Sequence, residues 1–157
     1  MLFDQFHRKI NYLRISVTDR CDLRCVYCMK EKMNFLPKNE ILSLEEIERL
    51  CDNFIELGVE KIRLTGGEPL VRKDLMHLIK NLNNKKSTTN LKEITLTTNG
   101  SLLKKYAKEL KKNGINRINV SLDTIIKEKY KEITRFGNLD NVLEGIEEAK
   151  KNNIKVK

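Results

Sequence analysis

The sequence predicts an α/β fold, an open barrel of parallel βα units with a polar lumen, and three observations carry that reading. Short strand-like runs near 12–18, 61–65, 93–98, 116–121 and 154–157 alternate with segments of helical period, the pattern of right-handed βαβ crossovers. All five runs alternate apolar with polar residues, whereas strands covered on both faces read as continuous apolar stretches. Finally, the residues able to do chemistry gather after strand ends, where α/β folds bind ligands.

The elements follow in order. In the first run Leu13, Ile15 and Val17 alternate with Arg14, Ser16 and Thr18. A capping box at Ser43-Leu44-Glu45-Glu46 then opens a helix with Leu44, Ile47, Cys51, Phe54 and Leu57 on one face and Gly58 as its stop. Ile62 and Leu64 alternate with Arg63 and Thr65. Leu75, Leu78, Ile79 and Leu82 mark a second helix, and 83–90 reads as a loose loop. Ile94 and Leu96 alternate with Thr95 and Thr97; Leu103, Tyr106, Ala107 and Leu110 form a third helix, stopped by Gly114. Ile118 and Val120 alternate with Asn119 and Ser121. A weaker helix near 125–133 precedes one beginning near Asn138 with Leu139, Val142, Leu143, Ile146 and Ala149. Ile154 and Val156, alternating with Lys155 and Lys157, close the series.

Side chains point to opposite faces at period two. The apolar row is therefore expected to meet the helices. The polar row, with Arg14, Arg63 and Lys157, lines the other face. A closed eight-stranded barrel fills that face with branched apolar side chains; these strands supply polar ones, so an anionic ligand is expected inside.

Length and charge narrow the function. A chain of 157 residues fits one domain, and no apolar run approaches the ~20 residues of a membrane span. The start reads as no signal peptide, so a cytoplasmic location is expected and cysteines there are ligands or buried thiols rather than disulfides. The net charge of +9 lies wholly in residues 79–157, with 18 basic and 9 acidic side chains against 13 and 13 before them. A nucleic-acid module is one reading. The dispersed pairs Lys85-Lys86, Lys104-Lys105, Lys111-Lys112 and Lys150-Lys151, without interleaved aromatics, favour a solvated surface, and neither nucleic acid nor membrane is expected as a partner.

Cys21-x3-Cys25-x2-Cys28 directly follows the first strand. Three thiolates in one loop can converge on a metal centre. Structural zinc wants four ligands, and none of the neighbouring residues is a fourth, unless Cys51 or a histidine is recruited. Iron–sulfur clusters also take thiolates, and three on four irons leave one iron open for a ligand. Cys51 lies on an apolar helix face and reads as a core thiol; His7 and His77 stand alone. After the second strand, Gly66-Gly67-Glu68-Pro69 combines two glycines that permit close backbone approach with a carboxylate. Thr97-Thr98-Asn99-Gly100 and Ser121-Leu122-Asp123 end the next two strands at the same rim.

The cysteine triad with Tyr27 before its last member, followed by Gly66-Gly67-Glu68-Pro69, resembles the radical S-adenosylmethionine enzymes. Within them, the string from Tyr12 to Cys21, Phe35 to Lys38, Lys61 to Leu70, Leu96 to Gly100 and Arg117 to Asp123 are similar to the GTP 3′,8-cyclase family of molybdenum cofactor biosynthesis. The resemblance implies a TIM-like partial (β/α)6 barrel. It implies that Cys21, Cys25 and Cys28 hold a [4Fe–4S] cluster and that Tyr27, Gly67 and Ser121 contact S-adenosylmethionine, with Glu68 helping to hold its methionine end. It assigns Arg14, Arg63, Thr97 and Lys157 to GTP, and no catalytic side chain beyond cluster and cofactor. Partners so implied are an electron donor, a homodimer, and a functional link to cyclic pyranopterin monophosphate synthase.

Members of that family are about twice as long and carry a second cysteine triad with another [4Fe–4S] cluster. The expectation is therefore an incomplete radical S-adenosylmethionine core over 1–157, about five βα units, without the second-cluster region and inactive by itself. Two alternatives remain at this level. One is a radical enzyme of the same superfamily that modifies a peptide or cofactor; the other is a non-enzymatic zinc or nucleic-acid-binding module.

Overall fold

A computed structural model describes residues 1–157. Five strands form one parallel sheet in sequence order: β1 (Tyr12–Ser16), β2 (Lys61–Thr65), β3 (Glu93–Thr98), β4 (Arg117–Val120) and β5 (Lys155–Val156). Helices α1 (Leu44–Glu56), α2 (Leu75–Lys85) and α3 (Leu103–Lys112) cross between successive strands, and α4 (Lys127–Thr134) and α5 (Leu139–Lys151) share the last crossover.

Register turns the local alternation into two continuous surfaces. Ile15 pairs with Leu64, Leu64 with Leu96, Leu96 with Ile118 and Ile118 with Val156. This apolar row and its neighbour Leu13–Ile62–Ile94 meet the helices. Ile62, Leu64, Ile94, Leu96 and Ile118 are buried, against Ile47, Cys51, Leu78, Ile79, Leu82, Leu103, Ala107 and Leu110. Burial of each large apolar side chain contributes roughly 1.5–3 kcal/mol, so the outer face holds the fold together.

The helix boundaries follow the expected signals with local differences. Ser43 and Glu46 form the reciprocal capping box, and Gly58 takes the positive φ of +103° after α1. Leu57 is not on the buried face: it caps the helix and is exposed, while Ile55 fills the core. Leu143 is likewise exposed, and the backbone of Gly145 packs against Leu103 in its place. The loose loop shrinks, because α2 continues through Lys85, whose ammonium pairs with Glu48 and Asp52 of α1. The lysine pairs of the basic half are spread over the end of α2, both ends of α3 and the end of α5. Lys104 pairs with Glu144 and Lys150 with Glu147, which is the solvated-surface arrangement. No helix is long and apolar enough to cross a membrane.

Candidate active site

The polar row occupies the opposite face of the same strands. Its two ends differ. At the N-terminal end of the strands, Arg117 forms a two-pronged ion pair with Glu93 at 3.0–3.1 Å. Further up, Arg14 and Arg63 are direct register partners, and like charges facing across a parallel pair repel. The Arg63 Nη1 donates to Thr97 Oγ1 at 3.1 Å and its guanidinium lies 5.9 Å from the Tyr12 ring centre. Its Nε is buried without a partner, as is the Oδ1 of Asn119. Thr97 pairs in register with Asn119. Lys157 lies beside them, its N–H donating to Ile118 O and its carbonyl accepting from Val120 N. Thus Arg14, Arg63, Thr97 and Lys157 share one face, as expected, with cations that no carboxylate neutralises. Tyr12 belongs to this face too; the alternation places it there, two residues before Arg14.

At the C-terminal ends of the strands, the turn after β2 is built against the chain itself. Gly67 N–H donates to Thr18 O and Glu68 N–H to Arg20 O, both at 2.8 Å. A Cβ on Gly67 would stand 2.3 Å from Arg20 O, and one on Gly66 2.6 Å from Thr18 O. Both glycines are thus required by the segment leading into the cysteine loop. Since the Gly67 N–H is taken, its carbonyl is what remains for a ligand.

Glu68 is fully buried. Its Oε1 accepts from Leu70 N–H at 3.0 Å and Thr98 Oγ1 at 2.8 Å, and its Oε2 from Asn99 N–H at 2.7 Å. Burial pushes its carboxyl up to about 7, against these hydrogen bonds. The carboxylate therefore ties the Gly-Gly turn to the end of β3.

The cysteine loop is fixed at three points. Asp22 accepts from Asn99 Nδ2 at 2.8 Å and Ser101 Oγ at 2.5 Å, tying the loop to the end of β3. Tyr27 Oη donates to Asp123 Oδ2 at 2.9 Å beyond β4, and Ser121 N–H donates to Thr98 O at the same rim. The third anchor is the end of α4: Arg24 N–H and Val26 N–H donate to Thr134 O and Ile133 O, and Arg135 Nη1 donates to Arg24 O at 2.8 Å. Composition gave no signal for this last anchor, because it consists mainly of backbone groups on a weakly amphipathic helix.

Cys21, Cys25, Cys28 and Cys51 are free thiols. Burial pushes the Cys21 thiol up to about 11, with the Asp22 and Glu68 carboxylates adding to it, and burial also raises Cys25. Burial and the hydrogen bond to Asp123 raise the Tyr27 phenol. No three Cys, His, Asp or Glu side chains converge as a ready-made cation cage; the triad is gathered on one anchored loop. Cys51 is buried in the core beside Ile47 and Ile55, and neither His7 nor His77 joins the triad in a metal-holding group, so the fourth ligand of a structural zinc site is not assembled. Three thiols at a polar rim fit a cluster that keeps one iron open.

Comparison with known proteins agrees with this layout. The chain is 60% identical over 156 residues to proteins named GTP 3′,8-cyclase from Brucella ovis and Brucella abortus, covering 99% of this chain and 45% of each relative. Among solved structures it resembles Streptococcus suis SuiB bound to the precursor peptide SuiA, with a TM-score of 0.76 and 22% identity over 93% of this chain and 31% of that one. It also resembles methylornithine synthase (PylB), with a TM-score of 0.69 and 19% identity over 92% of this chain and 42% of that one. These likenesses concern the fold. The model of the Radical SAM superfamily matches residues 15–157, and the chain belongs to that superfamily.

Proposed function

We propose that the chain carries the first-cluster and nucleotide-binding half of a GTP 3′,8-cyclase of molybdenum cofactor biosynthesis, an enzyme that joins the ribose 3′ carbon of GTP to guanine C8. The observation that carries this reading is the 60% identity across 99% of the chain to proteins of that name. The chain spans 45% of their length, so the complete reaction, its electron donor, a homodimeric state, the link to cyclic pyranopterin monophosphate synthase and a cytoplasmic location all belong to the proposal. Residues 1–157 then form the radical S-adenosylmethionine core.

Cys21, Cys25 and Cys28 would hold a [4Fe–4S] cluster, with the S-adenosylmethionine amino and carboxylate groups on the open iron. The bound pair supplies one-electron cleavage of the sulfonium and thereby the radical chemistry. The protein's contribution is position and charge. Tyr27, held by Asp123, and Ser121 offer polar contacts at the rim, and Gly67 offers its carbonyl; Glu68 serves the methionine end through the turn that it fixes. Arg14, Arg63 and Lys157 offset the triphosphate charge, and Thr97 orients the Arg63 fork. The facing pair Arg14 and Arg63, without a carboxylate partner, supports an anion on this face.

Anaerobic iron–sulfide reconstitution of the chain followed by EPR tests the first half of the reading. A [4Fe–4S] signal that changes on adding S-adenosylmethionine is expected, lost in Cys25→Ala; an unchanged signal overturns the open iron. Equilibrium binding of GTP, weakened at least tenfold in Arg63→Ala, tests the second.

A further inference from the structure

The polar face contains one acceptor that nothing in the fold uses. Asn119 sits on β4 between two of the residues assigned to nucleotide: Thr97 is its register partner on β3, and Lys157 flanks it on the other side through the Ile118 and Val120 backbone. Its Oδ1 is buried and has no hydrogen-bond partner. An orphaned buried acceptor is destabilising, and buried polar atoms in native folds are otherwise almost always paired. On the same face the Arg63 Nε is a buried donor without a partner. A buried donor and a buried acceptor, both unpaired and both on a face with three unneutralised cations, fit a ligand that is anionic at one end and carries an O–H or N–H donor at the other. A nucleoside triphosphate has both.

Building on the GTP reading above, we propose that Asn119 is a further substrate-positioning residue, its side-chain carbonyl accepting a hydrogen bond from a hydroxyl or amino group of the nucleoside while Arg14, Arg63 and Lys157 hold the phosphates. S-adenosylmethionine also carries ribose hydroxyls and an amino group. Register separates the two. Asn119 is level with Thr97 and Lys157, one pleat repeat below Ser121, and so lies deeper than the rim where the cysteine loop is tied down.

The test is equilibrium binding to the reconstituted chain, with GTP and S-adenosylmethionine titrated separately. Asn119→Ala is expected to weaken GTP binding about five- to tenfold, the cost of one neutral hydrogen bond, with S-adenosylmethionine affinity and the EPR signal unchanged. Inorganic triphosphate, which has no nucleoside donor, is expected to bind wild type and Asn119→Ala equally. Because that anion probe reads the same face, equal triphosphate affinity also establishes that the variant is folded. Unchanged GTP affinity in Asn119→Ala, with Arg63→Ala still impaired, overturns the role of Asn119 and leaves the GTP reading standing. Weakened binding of S-adenosylmethionine alone, or of triphosphate as strongly as GTP, also overturns it. Failure of the wild-type chain to bind GTP overturns both.

Discussion

The two faces of the five strands are made from alternate residues of the same strands, yet they follow opposite rules. On the helix side Leu64, Leu96 and Ile118 lie in one register row and are wholly buried. On the other side Arg14 faces Arg63, and Arg63 Nε and Asn119 Oδ1 are buried without partners. One face is optimised for its own packing; the other is left with repulsion and unpaired groups that a ligand can relieve. Sites that are poor for stability are where function concentrates, and here the separation is a matter of odd and even positions along each strand.

Substitutions on the two faces should therefore differ in kind, and the largest loss belongs to the helix side. Leu64→Ala leaves a cavity in the middle of the row and is expected to cost about 4 kcal/mol in denaturant unfolding. A loss under about 1 kcal/mol would mean that the outer face is not the core. Next comes the rim. Gly67→Ala puts a methyl carbon 2.3 Å from Arg20 O, and the backbone must separate to admit it. An expected cost of about 3 kcal/mol comes with loss of cluster reconstitution, because the same contact delivers the chain into the cysteine loop.

Glu68 joins the two regimes, a buried ionisable group beneath a functional rim. Its carboxyl stands near 7 in the fold against an ordinary 4.5. Between those values the unfolded chain has released the proton and the folded one retains it. Stability contributed by this group is thus present below about 4.5 and lost as pH rises through about 7, by at most roughly 3.5 kcal/mol in full. Glu68→Gln, neutral throughout, is expected to flatten that part of the stability–pH curve while losing about 1 kcal/mol for the Asn99 hydrogen bond. A curve of unchanged slope would show that Glu68 is ionised in the fold across the range.

Much of this was legible because it is local. Alternation at period two names the strands and sorts Arg14, Arg63, Thr97, Asn119 and Lys157 onto one face, and Ser43 with Glu46 announces the start of α1. What escaped the sequence depends on partners far along the chain. Gly66 and Gly67 make room for Thr18 and Arg20 of the chain itself, whereas the motif alone reads as room for a ligand. Glu68 reads as a free carboxylate until Thr98 and Asn99 are seen to enclose it. The end of α4 reveals itself as an anchor only when its carbonyls are found under Arg24 and Val26. Even the length of α2 was decided by a neighbour, through Lys85 and the acids of α1.

The smallest stability effect is the most diagnostic. Arg63→Met keeps much of the side-chain volume, removes the repulsion with Arg14 and abolishes the buried unpaired Nε. It gives up one hydrogen bond to Thr97 and the contact with Tyr12. These terms are each about 1 kcal/mol and of opposite sign, so unfolding free energy is expected to move by no more than about 0.5 kcal/mol. GTP affinity, in contrast, should fall at least tenfold, since a fixed cation and a donor fork are both removed. A variant that is markedly less stable and still binds GTP would reverse the assignment of the two faces: Arg63 would then be part of the framework, and the polar row an ordinary solvated surface.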